Sequence, residues 1–226
     1  MLPERSPIAR AKTTARELLR RTGLRQPKPS YQQLRSKTGG FMQRWALIRN
    51  QLSDDDRSVL DIGCNEGRLT RLAAESGRLA IGVEPQLDLV IRGRNQRPFQ
   101  EGLGLINMKV TDASVETLPT VDVVFLLSVQ HQFVSMLGED AAWALTGKIA
   151  SHARHQFFFE PASIRSKYKG KVLAFEDNDA ESILKYNTER LTSVLPGWQV
   201  KSLGQTPNLG DVEHFRLMLV AQRPES

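Results

Sequence analysis

With 226 residues, of which 40% are hydrophobic and 25% charged, the chain is sized for one α/β core and has an ordinary globular composition. No apolar run approaches the roughly 18 residues of a membrane span, no apolar N-terminal segment ends in a small-residue cleavage site, and a single cysteine, Cys64, excludes an internal disulfide. The formal net charge of +6 is segregated: residues 1–50 hold 12 Lys+Arg against 2 Asp+Glu, leaving 19 of the chain's 31 basic and 23 of its 25 acidic residues for a mildly acidic body. A cytoplasmic protein with a basic extension (1–50) on a catalytic-type domain (51–226) is expected.

Within the extension, Ile8 to Leu24 has helical character, with Ala11, Ala15, Leu18 and Leu19 interleaved with Arg10, Lys12, Arg16, Arg20 and Arg21. Gly23, Pro27 and Pro29 end it. Such an arm can lie on an anionic membrane surface, making the protein peripheral to it, or grip RNA; it can equally be a solvated tail. From Gly39 a second helix is predicted, with Phe41, Trp45 and Ile48 at helical spacing and Arg44 and Arg49 outside.

The body alternates strand and helix patterns. Ser58–Gly63 reads as a strand, Glu66–Ser76 as a helix, Leu79–Glu84 as a strand and the stretch to Asn95 as a helix. Gly104–Val110 is a third strand, and Val121–Val129 a fourth, apolar on both faces as a central parallel strand should be. A helix over Glu139–Ala153 precedes a fifth strand, His155–Glu160; a polar excursion (Pro161–Asp177) and a helix over Asp179–Leu195 follow. Trp198–Leu203 and His214–Ala221 close the chain as a hairpin. The pattern predicts a doubly wound, mostly parallel seven-stranded sheet with an antiparallel edge strand and an N-terminal helical extension.

The strongest motif is Val59-Leu60-Asp61-Ile62-Gly63-Cys64-Asn65-Glu66-Gly67. A strand that ends in glycine and opens into a helix places backbone N–H groups and the positive helix end beside a ligand, at the sheet edge where open parallel sheets bind theirs. Gly63 allows a tight turn and Gly67 a close approach, while asparagine at 65 tolerates the left-handed region. A dinucleotide fingerprint starting at Gly63 would need glycines where Asn65 and Arg68 stand, and no P-loop lysine follows.

Asp61-Ile62-Gly63-Cys64-Asn65-Glu66-Gly67 resembles motif I of the class I S-adenosylmethionine (SAM)-dependent methyltransferases, with Asn65 in place of the usual middle glycine. The resemblance extends over roughly residues 55–221 and implies a Rossmann-like methyltransferase fold with SAM as cofactor. It assigns Asp61, Gly63, Cys64, Asn65 and Gly67 to the cofactor loop, Cys64 as a packing residue. It gives Glu84, which closes the second strand, to the ribose hydroxyls, since a carboxylate accepts two hydroxyl hydrogen bonds at once. Asp112, after the third strand, falls to the adenine amino group, and Ser128 completes the cofactor contacts.

Ser128-Val129-Gln130-His131 resembles the Ser-Val-x-His segment of a bacterial-type methyltransferase subgroup. His131 is the candidate general base, because histidine titrates near neutral pH; shaping the pocket or binding the acceptor is its alternative role. Glu160, after three phenylalanines at the end of the fifth strand, is a second catalytic or acceptor-binding candidate. His214, which opens the last strand, is a further acceptor-binding candidate. No Asn/Asp-Pro-Pro-Tyr/Phe segment, cysteine pair or clustered metal ligands are present, so amino-group, cytosine-C5 and metal-assisted methylation are disfavoured. The leading expectation is O-methylation of a hydroxyl on a small-molecule or glycan-like acceptor. An RNA methyltransferase using the basic arm and a non-catalytic SAM-binding scaffold are the rivals.

Overall fold

The segment Val121-Asp-Val-Val-Phe-Leu-Leu127 is buried at all seven positions, and the rest of the fold is arranged around it. The computed structural model describes residues 40–96, 98–161, 167–168, 171–172, 180–208 and 211–224. Its elements are α1 (Gly40–Arg49), β1 (Ser58–Ile62), α2 (Arg68–Glu75), β2 (Leu79–Glu84), α3 (Leu87–Arg94) and β3 (Leu103–Asn107). There follow β4 (Val121–Leu127), α4 (Gln130–Leu137), α5 (Glu139–Ser151), β5 (Ala153–Glu160), the short pair β6 (Lys167–Tyr168) and β7 (Lys171–Val172), α6 (Ala180–Val194), β8 (Gln199–Asn208) and β9 (Asp211–Gln222).

Seven strands form one sheet in the order β3-β2-β1-β4-β5-β9-β8. The first five are mutually parallel; β9 runs antiparallel between β5 and β8 at the far edge. Strand order reverses between β1 and β4, which opens a crevice beyond their carboxyl ends.

The period of two along each strand divides the core into two layers. Leu60, Val124, Leu126, Phe157, Phe159 and Leu219 face α5 and α6, where Trp143, Ile149 and Leu191 cover them. Their neighbours Val59, Val123, Phe125, Phe158 and Val220 face the opposite side, under α2 and under Phe41, Trp45 and Ile48 of α1.

Several boundaries depart from expectation. The first body helix begins at Arg68, because Gly67 takes a left-handed conformation (φ 70°) and ends the turn before it. The third strand stops at Asn107, three residues short. An unpredicted helix, α4, occupies the segment after β4. The division at residue 50 separates α1 from a core it helps to build, and Arg44, expected on its outer side, is buried. The arm over residues 1–30 lies outside the described residues.

Candidate active site

Gly63, Asn65, Glu84, Ser128 and His131 all line one cavity of about 400 Å³ at the carboxyl ends of β1, β2 and β4, a size suited to small ligands. Met108 and Lys109 wall it on the β3 side, α4 adds Phe133 and Met136, and Arg44 and Arg216 reach in from α1 and β9.

The β1–α2 loop is shaped by two left-handed residues in its first turn. Gly63 has φ 72°, and a Cβ there would lie 2.4 Å from Cγ2 of Val129. Asn65 follows at φ 57°; its Oδ1 accepts the Glu66 amide hydrogen at 3.0 Å, the local side-chain bond that lets asparagine hold this conformation. The Asn65 amide donates to Oε2 of Glu84 at 3.0 Å, and the Gln86 amide donates to Oε1 at 3.0 Å. Burial raises the Glu84 pKa above the usual carboxylate range, while the Gln86 and Asn65 amides oppose the rise. The carboxylate is thus oriented by two backbone donors and still faces the cavity.

Asp61, Cys64 and Gly67 support the loop from beneath. Asp61 accepts a 2.7 Å hydrogen bond from the Thr70 hydroxyl, tying β1 to α2, and burial raises its pKa to about 6 against the pull of Thr70 and Arg44. Cys64 packs against Gly82; burial, then Asp61 and Glu84, push its thiol well above the ordinary range, away from thiolate chemistry. At Gly67 the close approach is to Leu105 of β3, whose Cδ2 would lie 2.5 Å from an added Cβ. Asp112 departs from its expected position. Its side chain is 77% exposed and pairs with Lys148 of α5 at 2.6 Å, because β3 ends five residues earlier and the intervening turn carries the acid past the cavity wall.

Ser128, at the cavity end of β4, is held at φ 65°, its amide donating to the Glu160 carbonyl at 2.8 Å. Glu160 is fully buried and does not line the cavity; Arg44 donates to its Oε1 from Nη2 at 3.0 Å, with Nε at an ion-pair distance of 2.9 Å from Oε2, and the Ser128 hydroxyl hydrogen-bonds to it as well. Arg216 places Nε 3.8 Å from the same carboxylate and donates Nη1 to the Pro161 carbonyl at 3.1 Å. Glu160 therefore holds Arg44, with Arg216 nearby, from behind the cavity wall. His131, in the first turn of α4, is buried at the cavity wall; burial and then Arg216 lower its pKa to about 3, with Glu160 opposing. The imidazole is therefore neutral at the cavity wall, a position that suits either of its expected roles, base or pocket former. His214 falls in β9, with its side chain outside the described residues.

Arg44 and Arg216 escaped the sequence reading. Residues 41, 44, 45 and 48 form one i, i+3, i+4, i+7 stripe, so an arginine inside an apolar stripe was the available signal. Arg216 likewise precedes five buried apolar residues, Leu217 to Ala221, in the same strand.

The strand order is that of a Rossmann-like fold, and solved methyltransferase structures share it. The magnesium protoporphyrin IX methyltransferase of Synechocystis PCC 6803, solved with SAM bound, superposes with a TM-score of 0.58 at 16% identity over 94% of this chain and 97% of that one. WbdD, a bifunctional kinase-methyltransferase, gives a TM-score of 0.63 at 19% identity over 79% of this chain and 40% of its own. In sequence, the chain is 27% identical over 159 residues to CRG1 of Saccharomyces cerevisiae, a probable SAM-dependent methyltransferase, covering 62% of this chain. It spans about half (53%) of that relative's length. No protein-family profile matches the chain.

Proposed function

We propose that the chain is a SAM-dependent methyltransferase acting on an oxygen atom of a small-molecule or glycan-like acceptor. The observation that carries this reading is Glu84: a cavity-facing carboxylate at the end of β2, oriented by the Asn65 and Gln86 amides and set beside a turn where a Cβ at Gly63 would collide with Val129. These residues fit a nucleoside ligand, with Glu84 able to accept the two ribose hydroxyls on its remaining lone pairs and the loop backbone able to approach closely. SAM, when bound, supplies a methyl group activated by its sulfonium. The chain's own part is to orient: Gly63 and Asn65 form one wall, Met108 and Val110 another, and Ser128 marks the passage to Arg44, His131 and Arg216.

A small-molecule acceptor agrees with the one for which the Synechocystis methyltransferase is named. Among the described residues no helix is long and apolar enough to cross a membrane. The test is transfer of label from methyl-tritiated SAM, with a small-metabolite fraction and total RNA offered separately. Label entering the metabolite fraction, and abolished by Glu84→Ala, is expected. Incorporation into RNA alone would overturn the acceptor class.

A further inference from the structure

We infer that Asn107 is a positioning residue for the nucleoside site: it fixes the peptide whose N–H orients the Glu84 carboxylate, and so sets how strongly that carboxylate prefers a vicinal diol. Asn107 closes β3 and stands opposite Glu84, which closes β2, in the parallel ladder. The backbone pairing runs one step further, where the Met108 amide donates to the Glu84 carbonyl at 3.1 Å. Beyond that point the Asn107 side chain takes over. Its Nδ2 donates to the Glu84 carbonyl at 3.0 Å and to the Pro85 carbonyl at 3.0 Å, which uses both hydrogens of the amide nitrogen. Asn107 itself does not line the cavity, whereas Glu84, Pro85 and Gln86 do.

The Pro85 carbonyl and the Gln86 N–H belong to one planar peptide unit, and in a trans unit they point in opposite directions. Holding the carbonyl toward Asn107 therefore turns the N–H the other way, where it donates to Oε1 of Glu84 at 3.0 Å. The Asn65 amide holds Oε2 from the β1–α2 loop, also at 3.0 Å. Each carboxylate oxygen thus has its own backbone donor. One donor is set by the glycine turn, the other by Asn107.

An ionised carboxylate can accept further hydrogen bonds on both oxygens, and two hydroxyls on adjacent carbons are met together best when its plane is held still. Asn107 is exposed, so water replaces its bonds when the side chain is truncated, and the change falls on the direction of the Gln86 N–H instead of on the core. The inference rests on the methyltransferase reading, since it needs a ribose at Glu84.

The test is calorimetric titration of S-adenosylhomocysteine and its 2′,3′-dideoxy analogue into the full chain, with circular dichroism confirming that each variant is folded. The wild type should bind the diol-bearing ligand at least tenfold more tightly than the analogue. Asn107→Ala should weaken S-adenosylhomocysteine at least fourfold and leave the analogue within twofold, roughly the loss expected when one oriented hydrogen bond is disturbed. Asn107→Leu, of similar size but without a donor, should do the same. In a Glu84→Ala background, Asn107→Ala should change neither ligand by more than twofold, because the carboxylate through which it acts is gone. Undiminished preference for the diol in Asn107→Ala, equal losses for the two ligands, or a loss that persists in the Glu84→Ala background would overturn the inference while leaving the cofactor site standing. Failure of S-adenosylhomocysteine to bind the folded wild type would instead remove the methyltransferase reading, and this inference with it.

Discussion

His131 and Asp61 are both buried ionisable groups, yet they bias stability against pH in opposite directions. The folded chain holds His131 neutral down to about pH 3, whereas an unfolded histidine takes up a proton near pH 6.5. Its contribution is present above pH 6.5 and lost as pH falls toward 3. Asp61 is protonated up to about pH 6 when folded but only to about 3.8 when unfolded, so the folded state binds the extra proton between those values and loses stability as pH rises through them. Each effect is on the order of a few kcal/mol, because a tenfold change in proton affinity is worth roughly 1.4 kcal/mol. Urea midpoints at pH 4.5 and 7.5 check the signs. Relative to wild type, the stability gained on going from pH 4.5 to 7.5 should shrink in His131→Gln and grow in Asp61→Asn, which keeps a partner for Thr70. The same change in both variants would contradict the assignment.

At the scale of elements, α1 is the piece whose importance the chain conceals. Its aromatic residues close one layer of the core, and its arginine spans from that layer to the end of β5. Trp45 is 6% exposed, so Trp45→Ala should cost roughly 3–5 kcal/mol, read as a lowered denaturant midpoint with an unchanged slope. A loss under 1 kcal/mol would show that α1 only rests on the body. The strands and most helices were legible because periods of 2.0 and 3.6 survive in their apolar residues, most plainly in Val121–Leu127. The loop from Gly63 to Gly67 was legible because a left-handed turn restricts residue type. Helix α4 was not, since Gln130-His-Gln opens it without a capping residue and Val129 supplies no side-chain cap. The exposure of Asp112 depends on where β3 ends, and the arginines at Glu160 come from elements more than fifty residues away. Sequence spacing carries local geometry; it does not carry which distant charges converge.

For the whole molecule, the sheet reverses its order beside β1, and a turn, a carboxylate and two arginines gather at that one crevice. The fold is shared with solved methyltransferases at identities below 20%, so what distinguishes this chain is the side chains that line the crevice, where SAM is proposed to bind. The most direct measurement is calorimetric titration of SAM into the wild type and Glu84→Ala, with circular dichroism confirming that both are folded. One site per chain is expected, with an affinity weakened at least tenfold in Glu84→Ala, about 1.4 kcal/mol or more. Equal affinity in the two proteins would move the cofactor away from Glu84, and no binding by the folded wild type would contradict the claim outright.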